Sequence, residues 1–396
     1  MPANVDELRE AVAGALAAEE PVEIIGGGSK RGLGRPLQTP HTLDLSRLSG
    51  IRDYAPNELV LTAGAATPLA EIERALAEAG QMLAFEAPDW RRLLGSGGEP
   101  TLGGALACNL SGPRRLKAGA ARDHFLGFRA VSGRGEIFKA GGKVVKNVTG
   151  YDLCKLMAGS YGTLAALEEV TVKVLPRPET EATVMLAGIA PEQAPAVMPA
   201  ALGSPHEVSG AAFLPAGYGC VSPRSVVLRV EGPAPSVAYR REALRDALTA
   251  GVSEIFIDRG VSAGLWQAIG NAGPLAGAKD RAVWRVSVAP SRGAALAEAV
   301  ARQLDAEWFL DWGGGLVWLA VPEADDAGAA AIRAAIRGPD GNGTGHATLV
   351  KASPALRRAV AVFEPQPAPL AALSRRVKEA FDPKHILNPG RMVEGG

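Results

Sequence analysis

Three glycine-bearing segments carry the chemistry that is legible in this chain. The first is Val22-Glu-Ile-Ile-Gly26-Gly27-Gly28-Ser29-Lys30, and the second is Pro100-Thr101-Leu-Gly103-Gly104-Ala-Leu-Ala-Cys-Asn109. The third is Lys146-Asn-Val-Thr-Gly150-Tyr-Asp152-Leu-Cys-Lys155-Leu-Met-Ala-Gly159-Ser160-Tyr-Gly162-Thr163. Each reads as a strand or turn running into a helix. A helix start led by glycine presents unpaired N–H groups and the positive end of the helix dipole, which suits a pyrophosphate. Three such segments imply a dinucleotide lying between them. The first loop is not a Rossmann fingerprint, because Arg31 stands three after Gly28 where glycine is required. Nor is it a Walker loop, because the order is Gly28-Ser29-Lys30. Alone it is equally consistent with a plain tight turn. The Gly103-Gly104 turn is the stronger signal, since it opens a helix carrying Asn109; close helix–strand packing is the alternative.

Other catalytic chemistry is sparse. No paired carboxylates and no His–carboxylate spacing identify a general base. His206 and His385 are isolated, and Gly341-Asn-Gly-Thr-Gly-His346 carries a single histidine. The three cysteines, Cys108, Cys154 and Cys220, are far apart and have no metal spacing. Their sparse, odd number fits a reducing, intracellular setting. Lys+Arg 42 balance Asp+Glu 42, which argues against a nucleic-acid partner and gives no reason to expect an anionic membrane surface. The acidic start, Met-Pro-Ala-Asn-Val-Asp-Glu, lacks the apolar core of a signal peptide. No apolar run reaches the ~18 residues a membrane span needs.

The elements that must position these residues follow from pattern. Asn4 opens a helix with Glu7 closing a capping box, and Val5, Leu8, Val12 and Leu16 form its stripe. Strands are expected at 22–25, 43–48 and 59–63. Thr67 is expected to cap a helix with Pro68 at its first position and Gly80 at its end. A hairpin is expected around Gly133 and Gly135, with a helix over 151–158. Alternating Val170, Val172 and Val174 read as a half-buried strand. Pro176 and Pro178 mark a linker. Beyond it the order strand, helix, strand, strand, helix, strand is expected twice, over 183–258 and 282–351. That βαββαβ order predicts two ferredoxin-like units. A helix at 368–380 leads to the tail. Trp308, Phe309, Trp312 and Trp318 are expected in the core or a domain interface.

The combination of Lys146-Asn-Val-Thr-Gly-Tyr151-Asp152-Leu-Cys-Lys-Leu, Gly159-Ser-Tyr-Gly-Thr-Leu and Asp382-Pro-Lys-His-Ile-Leu-Asn-Pro-Gly is specific, although none of the three is so alone. Together they resemble the FAD-binding domain of the vanillyl-alcohol oxidase/para-cresol methylhydroxylase superfamily. Within it the resemblance is closest to the FAD-binding E subunits of bacterial glycolate oxidases, and it covers 1–178 and the tail 381–391. It implies an α+β fold: a two-part FAD-binding domain over 1–178, divided near 90, then a C-terminal domain over 179–367. The segment 368–396 returns to the flavin. By the same resemblance Gly26, Gly27, Gly28 and Ser29 surround the pyrophosphate, and Thr101, Gly103, Gly104 and Asn109 complete the cradle. Gly159, Ser160, Gly162 and Thr163 approach the adenosine side. Glu169 and Val170 lie near the adenine edge, and Asn388 reaches the flavin end. Some relatives attach FAD through a histidine in the first loop; Ser29 and Lys30 stand there instead, so FAD is expected to be non-covalent.

The resemblance further implies oxidation of glycolate to glyoxylate by a dehydrogenase complex, with electrons leaving through flavin and iron–sulfur centres. The expected partners are a larger FAD-containing D subunit and an iron–sulfur F subunit, since this chain has no cysteine cluster for such centres. The expected location is cytoplasmic, peripheral to the inner membrane face through those partners. Related hydroxyacid dehydrogenases carry a histidine-rich metal motif that is missing here, so no metal and no catalytic base is assigned. Two other readings remain open: a self-sufficient FAD-dependent hydroxyacid or sugar oxidase, and a non-catalytic flavoprotein that scaffolds a complex or relays electrons.

Overall fold

A computed structural model of the chain describes residues 1–142, 150–219, 221–248, 253–257 as backbone, 259–338 and 340–395. Lys146 to Thr149 and Cys220 lie outside the described residues. The first helix, Val5–Ala18, starts at Asn4, whose side chain accepts from Glu7 N at 2.9 Å. Glu7 returns a bond to Ala3 N at 2.8 Å. Leu8 and Val12 then pack against Val22, Leu43, Leu45 and Leu48. Strand β1 (Val22–Ile25) pairs in parallel with β2 (His41–Asp44). β2 stops earlier than the expected 43–48 strand because Asp44 accepts from Ser46 N at 2.8 Å and turns the chain.

The next strands are β3 (Ile51–Ala55), β4 (Val60–Gly64), β5 (Gln81–Met82), β6 (Phe125–Ser132), β7 (Ile137–Gly141), β8 (Ala165–Lys173) and β9 (Leu175–Pro176). Five form one antiparallel sheet in the order β3-β4-β8-β6-β7, and β5 pairs with β9. β8 is therefore central rather than half-buried. Neighbours on both edges and cover on both faces bury even Thr171, whose hydroxyl meets that of Thr62 at 2.9 Å. The helix expected to start at Pro68 runs Leu69–Glu78, with Pro68 outside it. Thr67 does not cap it: its hydroxyl donates to Gly64 O at 2.7 Å and accepts from Gly50 N at 2.9 Å, holding the loop instead. The helix expected over 151–158 is shorter, Leu153–Met157, capped by Asp152.

From β10 onward the chain builds one eight-stranded sheet. Its strands are β10 (Thr180–Ala187), β11 (Gly210–Leu214), β12 (Ser225–Gly232), β13 (Ser253–Ile257), β14 (Arg281–Val288), β15 (Glu307–Asp311), β16 (Leu316–Pro322) and β17 (Gly345–Lys351). The spatial order is β13-β10-β12-β11-β15-β16-β14-β17. Both halves follow the expected order of strands and helices, and in each the first strand lies between the third and the fourth. They join edge to edge at Phe213 and Leu310. Helices Ala194–Leu202, Ala234–Leu248, Gly293–Leu304 and Ala329–Arg337 bury their apolar stripes on one face. The period of two along each strand sends the alternate residues, Met185, Leu214, Val227, Val283, Phe309 and Trp318, to the opposite face.

That opposite face packs on Leu33, Trp90, Leu93 and Leu110 of the N-terminal half. Trp318 lies parallel to Phe309 and edge-on to Trp90, and Trp312 donates its indole N–H to Gly112 O at 3.1 Å. Those three of the four aromatic residues thus serve the junction, whereas Trp308 stacks on Phe213 on the helix-covered side. Charges tie the same junction. Arg229, on β12, pairs with Glu86 at 2.8 Å, and Arg114 pairs with both Glu86 and Glu231. Among the described residues no helix is long and apolar enough to cross a membrane.

Candidate functional site

Four pieces of chain meet in one cleft: the loop after β1, the helix Leu102–Ala107, the Tyr161–Gly162 turn and the tail at Asn388–Arg391. The loop can run there only because it is glycine. A Cβ on Gly27 would sit 2.0 Å from Glu99 O, and Gly28 has φ +79°. Thr101 caps the helix, accepting from Gly104 N at 3.3 Å. The other N–H groups of that first turn are already engaged: Leu102 donates to Thr67 O at 3.0 Å and Gly103 to Ala65 O at 2.8 Å. The expectation of a set of free donors at Gly103-Gly104 is corrected accordingly. Gly103 is required by packing, since its Cβ would lie 2.6 Å from Ala65 O. Gly104 alone of the pair faces space, with Thr101 Oγ1 3.0 Å and Lys30 Nζ 3.8 Å from where its Cβ would be.

The tail is bound to this site by a buried network. From the last turn of the helix Ala368–Phe381, Lys378 Nζ bonds Asp382 Oδ2 at 2.6 Å, Thr163 O at 2.8 Å and Leu387 O at 3.0 Å. Asp382 in turn accepts from the N–H groups of Ile386 and Leu387. Val22 N donates to Ile386 O and Asn388 N to Val22 O, so the tail extends β1 as a third parallel segment. Asn388 accepts from Ile24 N and donates to Tyr161 O, both at 2.8 Å. Its amide is thus committed to backbone while it lines the cleft. Arg391 is buried, paired with Glu23 at 3.0 Å and bonded to Arg31 O and Leu33 O.

Of the expected residues, Gly26, Gly27, Gly28, Ser29, Thr101, Gly103, Gly104, Gly162 and Asn388 line the cleft. Asn109, Gly159, Ser160, Thr163 and Val170 do not. Asn109 adopts φ +48° and accepts from Arg122 N at 3.1 Å, turning the chain after the helix. Gly159 N reaches Leu106 O, and the Thr163 hydroxyl closes on Ser160 O at 2.7 Å, so these residues shape the turn that presents Tyr161 and Gly162. Val170 is fully buried between β4 and β6, and its side chain belongs to the core. Glu169, on the same strand, lies 3.8 Å from Arg129.

Sequence reasoning missed Lys30, Cys108 and Tyr161, which also line the cleft. Lys30 bonds only the Ser29 hydroxyl at 3.3 Å among the described residues, and burial holds its ammonium below the usual lysine range. Burial pushes the Cys108 thiol up to about 11, so it is not a thiolate nucleophile, and likewise keeps the Tyr161 phenol protonated. Lys30 directly follows the glycine loop, which was a usable signal; Tyr161 came into the cleft only through the turn. Asp311, at the end of β15, was also unforeseen. Burial, with the Glu86 charge, pushes its carboxyl up to about 7. Among the described residues no three His, Cys, Asp or Glu side chains gather as metal ligands.

A glycine loop, a partly buried lysine with no carboxylate at salt-bridge distance among the described residues and a helix start with one shareable donor fit the diphosphate of a dinucleotide. Comparison with known proteins identifies that dinucleotide. Residues 1–141 match the family model described as an FAD binding domain, and 363–392 match the C-terminal domain of FAD linked oxidases. The chain is 36% identical over 385 residues to glycolate oxidase subunit GlcE of Escherichia coli (strain K12), covering 97% of this chain and 96% of that one. It is 32% identical over 187 residues to glycolate oxidase subunit GlcD of Bacillus subtilis (strain 168), covering 46% of this chain and 38% of that one. The fold is similar to p-cresol methylhydroxylase, with TM-score 0.71 at 14% identity over 99% of this chain and 87% of that one. A 4-ethylphenol oxidase from Gulosibacter chungangensis gives the same TM-score at 16% identity, over 99% and 88%. The chain therefore belongs to the glycolate oxidase E-subunit family, FAD-dependent oxidoreductases with a flavin domain of the para-cresol methylhydroxylase type.

Proposed function

We propose that this chain is the FAD-binding subunit of a complex that oxidises glycolate, or a close 2-hydroxyacid, to the 2-oxoacid. Similarity at 36% identity over nearly the full length of a glycolate oxidase subunit carries the reading. Residues 1–178 with the tail form the FAD-binding domain, and 179–367 form the part that covers the flavin. Gly26 to Ser29 hold the diphosphate from one side and Thr101 with Gly104 from the other, while the Lys30 ammonium neutralises it. Asn388 keeps β1, the tail and the Tyr161 turn in register, so the cleft exists before the cofactor arrives. Tyr161 and Cys108 mark the end of the cleft nearest the second sheet, where the flavin ring is read to lie. When bound, FAD accepts the hydride from the substrate carbon.

Removal of the hydroxyl proton needs a base beside that carbon. Asp311 does not qualify, being buried and bonded through Oδ1 to Trp312 N at 2.7 Å. His346, opposite Ser287 in the sheet, is a weak candidate, because partial desolvation and the Arg285 and Arg115 charges lower its basicity. The reading is therefore of a flavin subunit that depends on partners: a larger FAD-containing subunit and an iron–sulfur subunit, in the cytoplasm or against the inner membrane face. With three cysteines in the whole chain, iron–sulfur centres belong elsewhere. The test is anaerobic addition of glycolate to the isolated FAD-loaded chain. Flavin bleaching is expected only after the partner subunits are added. Bleaching within seconds by the chain alone would overturn the dependence and establish a self-sufficient oxidase.

A further inference from the structure

One patch on the inner face of the large sheet is polar. β14 sends Trp284, Val286 and Val288 into the helix-covered core and Val283 to the other side, so Arg285 and Ser287 point toward the N-terminal half. Their partners on β17 are Thr348 and His346. The Arg285 guanidinium lies 4.8 Å from the centre of the Trp312 indole. Arg115, arriving from the N-terminal half, lies 4.2 Å from the centre of the same ring. Trp312 is fixed between the two halves by its bond to Gly112 O.

Neither arginine has a carboxylate partner among the described residues. Elsewhere the junction does pair its arginines. Arg229, on the same sheet face, stacks on Trp266 at 4.8 Å yet also holds Glu86, and Arg114, next to Arg115 in the chain, holds Glu86 and Glu231. The larger cavity beside the junction is lined by those satisfied groups, with Arg91 paired to Asp89 and Glu99. Burial lowers the basicity of Arg115 and, to about 10, that of Arg285; the Arg115 charge also lowers that of Arg285, while the Asp123 and Asp311 charges partly oppose these shifts in Arg115 and Arg285 respectively. Two half-buried cations share one indole with no carboxylate within salt-bridge distance among the described residues, only the more remote Asp123 and Asp311 charges, an arrangement that an entering anion stabilises. Tyr161 connects the patch to the cleft: it lines the cleft and lies near enough to Arg285 to influence its titration.

We propose that Arg115 and Arg285, on the shared indole of Trp312, bind the carboxylate of a small 2-hydroxy- or 2-oxoacid at the Tyr161 end of the cleft. The guanidinium fork suits a planar carboxylate, and Ser287, Thr348 and His346 provide neutral donors for the adjacent oxygen. This deepens the functional reading above and rests on it: the chain holds a substrate-sized acid, and the base that turns it over is left to the assembled complex.

The experiment uses the FAD-loaded chain, its flavin-to-protein ratio measured first; a chain without flavin would refute the FAD reading separately, before any acid is added. Oxalate, which cannot reduce flavin, is titrated while calorimetry and the flavin absorbance are followed. Glycolamide, a neutral analogue, and inorganic phosphate are titrated in parallel. Saturable oxalate binding that perturbs the flavin spectrum is expected, with no binding of glycolamide. Arg285→Met and Arg115→Met should each weaken oxalate binding at least ten-fold while FAD content and unfolding midpoint stay unchanged; Arg285→Lys should fall between. Arg302→Met, on the exposed side of a covering helix, should bind as the parent does. Equal oxalate binding by both methionine variants, equal binding of glycolamide, or phosphate binding tighter than oxalate would each overturn the proposal.

Discussion

Adjacent glycines at 103 and 104 are predicted to fail in opposite ways. A Cβ on Gly103 would lie 2.6 Å from Ala65 O, 2.7 Å from Ala65 Cβ and 3.0 Å from Ala65 Cα. All belong to a neighbouring strand end that cannot swing aside, so Gly103→Ala is an overpacking substitution costing about 1–3 kcal/mol of stability. A Cβ on Gly104 meets only the Thr101 hydroxyl closely, at 3.0 Å, and then the mobile end of Lys30 at 3.8 Å. Gly104→Val should therefore leave the FAD-free protein almost as stable as the parent. The valine methyls would stand in the cleft and shield the Gly104 N–H, whose 3.3 Å bond to Thr101 leaves it free to share with a cofactor oxygen. Losing one charge-assisted bond is worth about 1.5–3 kcal/mol, or roughly a 10- to 150-fold weaker hold on FAD. Urea unfolding of the FAD-free variants and FAD titration of the folded ones separate the two effects. Parental FAD affinity in Gly104→Val, or weak FAD binding with unchanged stability in Gly103→Ala, would refute the assignment of which glycine faces the cofactor.

Acid precipitation of the yellow protein should release its flavin to the supernatant as FAD, since none of the five histidines lies in the first loop; flavin pelleting with the polypeptide would contradict this. Asp382→Ala leaves the Lys378 ammonium buried without its partner and should cost about 3–5 kcal/mol, read as a lower urea midpoint, with loss of FAD because the tail carries Asn388. Asp311 gives a pH signature. Its folded carboxyl titrates near 7 against an ordinary 3.8, so between those values the native state binds the extra proton and stability declines as pH rises. Three units correspond to about 4 kcal/mol. Asp311→Asn, which can still accept from Trp312 N, should match the parent near pH 4 and exceed its stability at pH 8. Identical pH dependence in the two proteins would show that Asp311 ionises freely in the fold.

Several elements were legible because local physics decides them. Asn4 with Glu7 can satisfy helix-start donors whatever surrounds them. The two runs of strand, helix, strand, strand, helix, strand showed through their periodicity, as in Val283 to Val288. The glycine loop at 26–29 and the tail at 382–390 were legible as motifs and meet in one cleft. Errors came where a partner outside the local window took over. Thr67 has the side chain of a cap, but Gly50 and Gly64 claim its hydroxyl. Val170 alternates as a half-buried strand would, yet β4 and β6 flank it and both faces are covered.

By itself the sequence determined that this chain builds glycine-lined turns beside short helices, followed by two similar α/β halves, and that it resembles flavoproteins. Only the tertiary structure decided which of those glycines face space. Gly103 and Gly104 are identical in type and adjacent in the chain, and the difference between them is the position of Ala65, a residue nearly forty positions away. The same holds for charge. Arg114 and Arg115 read alike, but one meets Glu86 and, across the junction, Glu231, whereas the other lies over Trp312 beside a second arginine. Residue type sets what a side chain can bond to. Which partner arrives is set by strands paired across more than a hundred residues, and so is what remains available to a ligand.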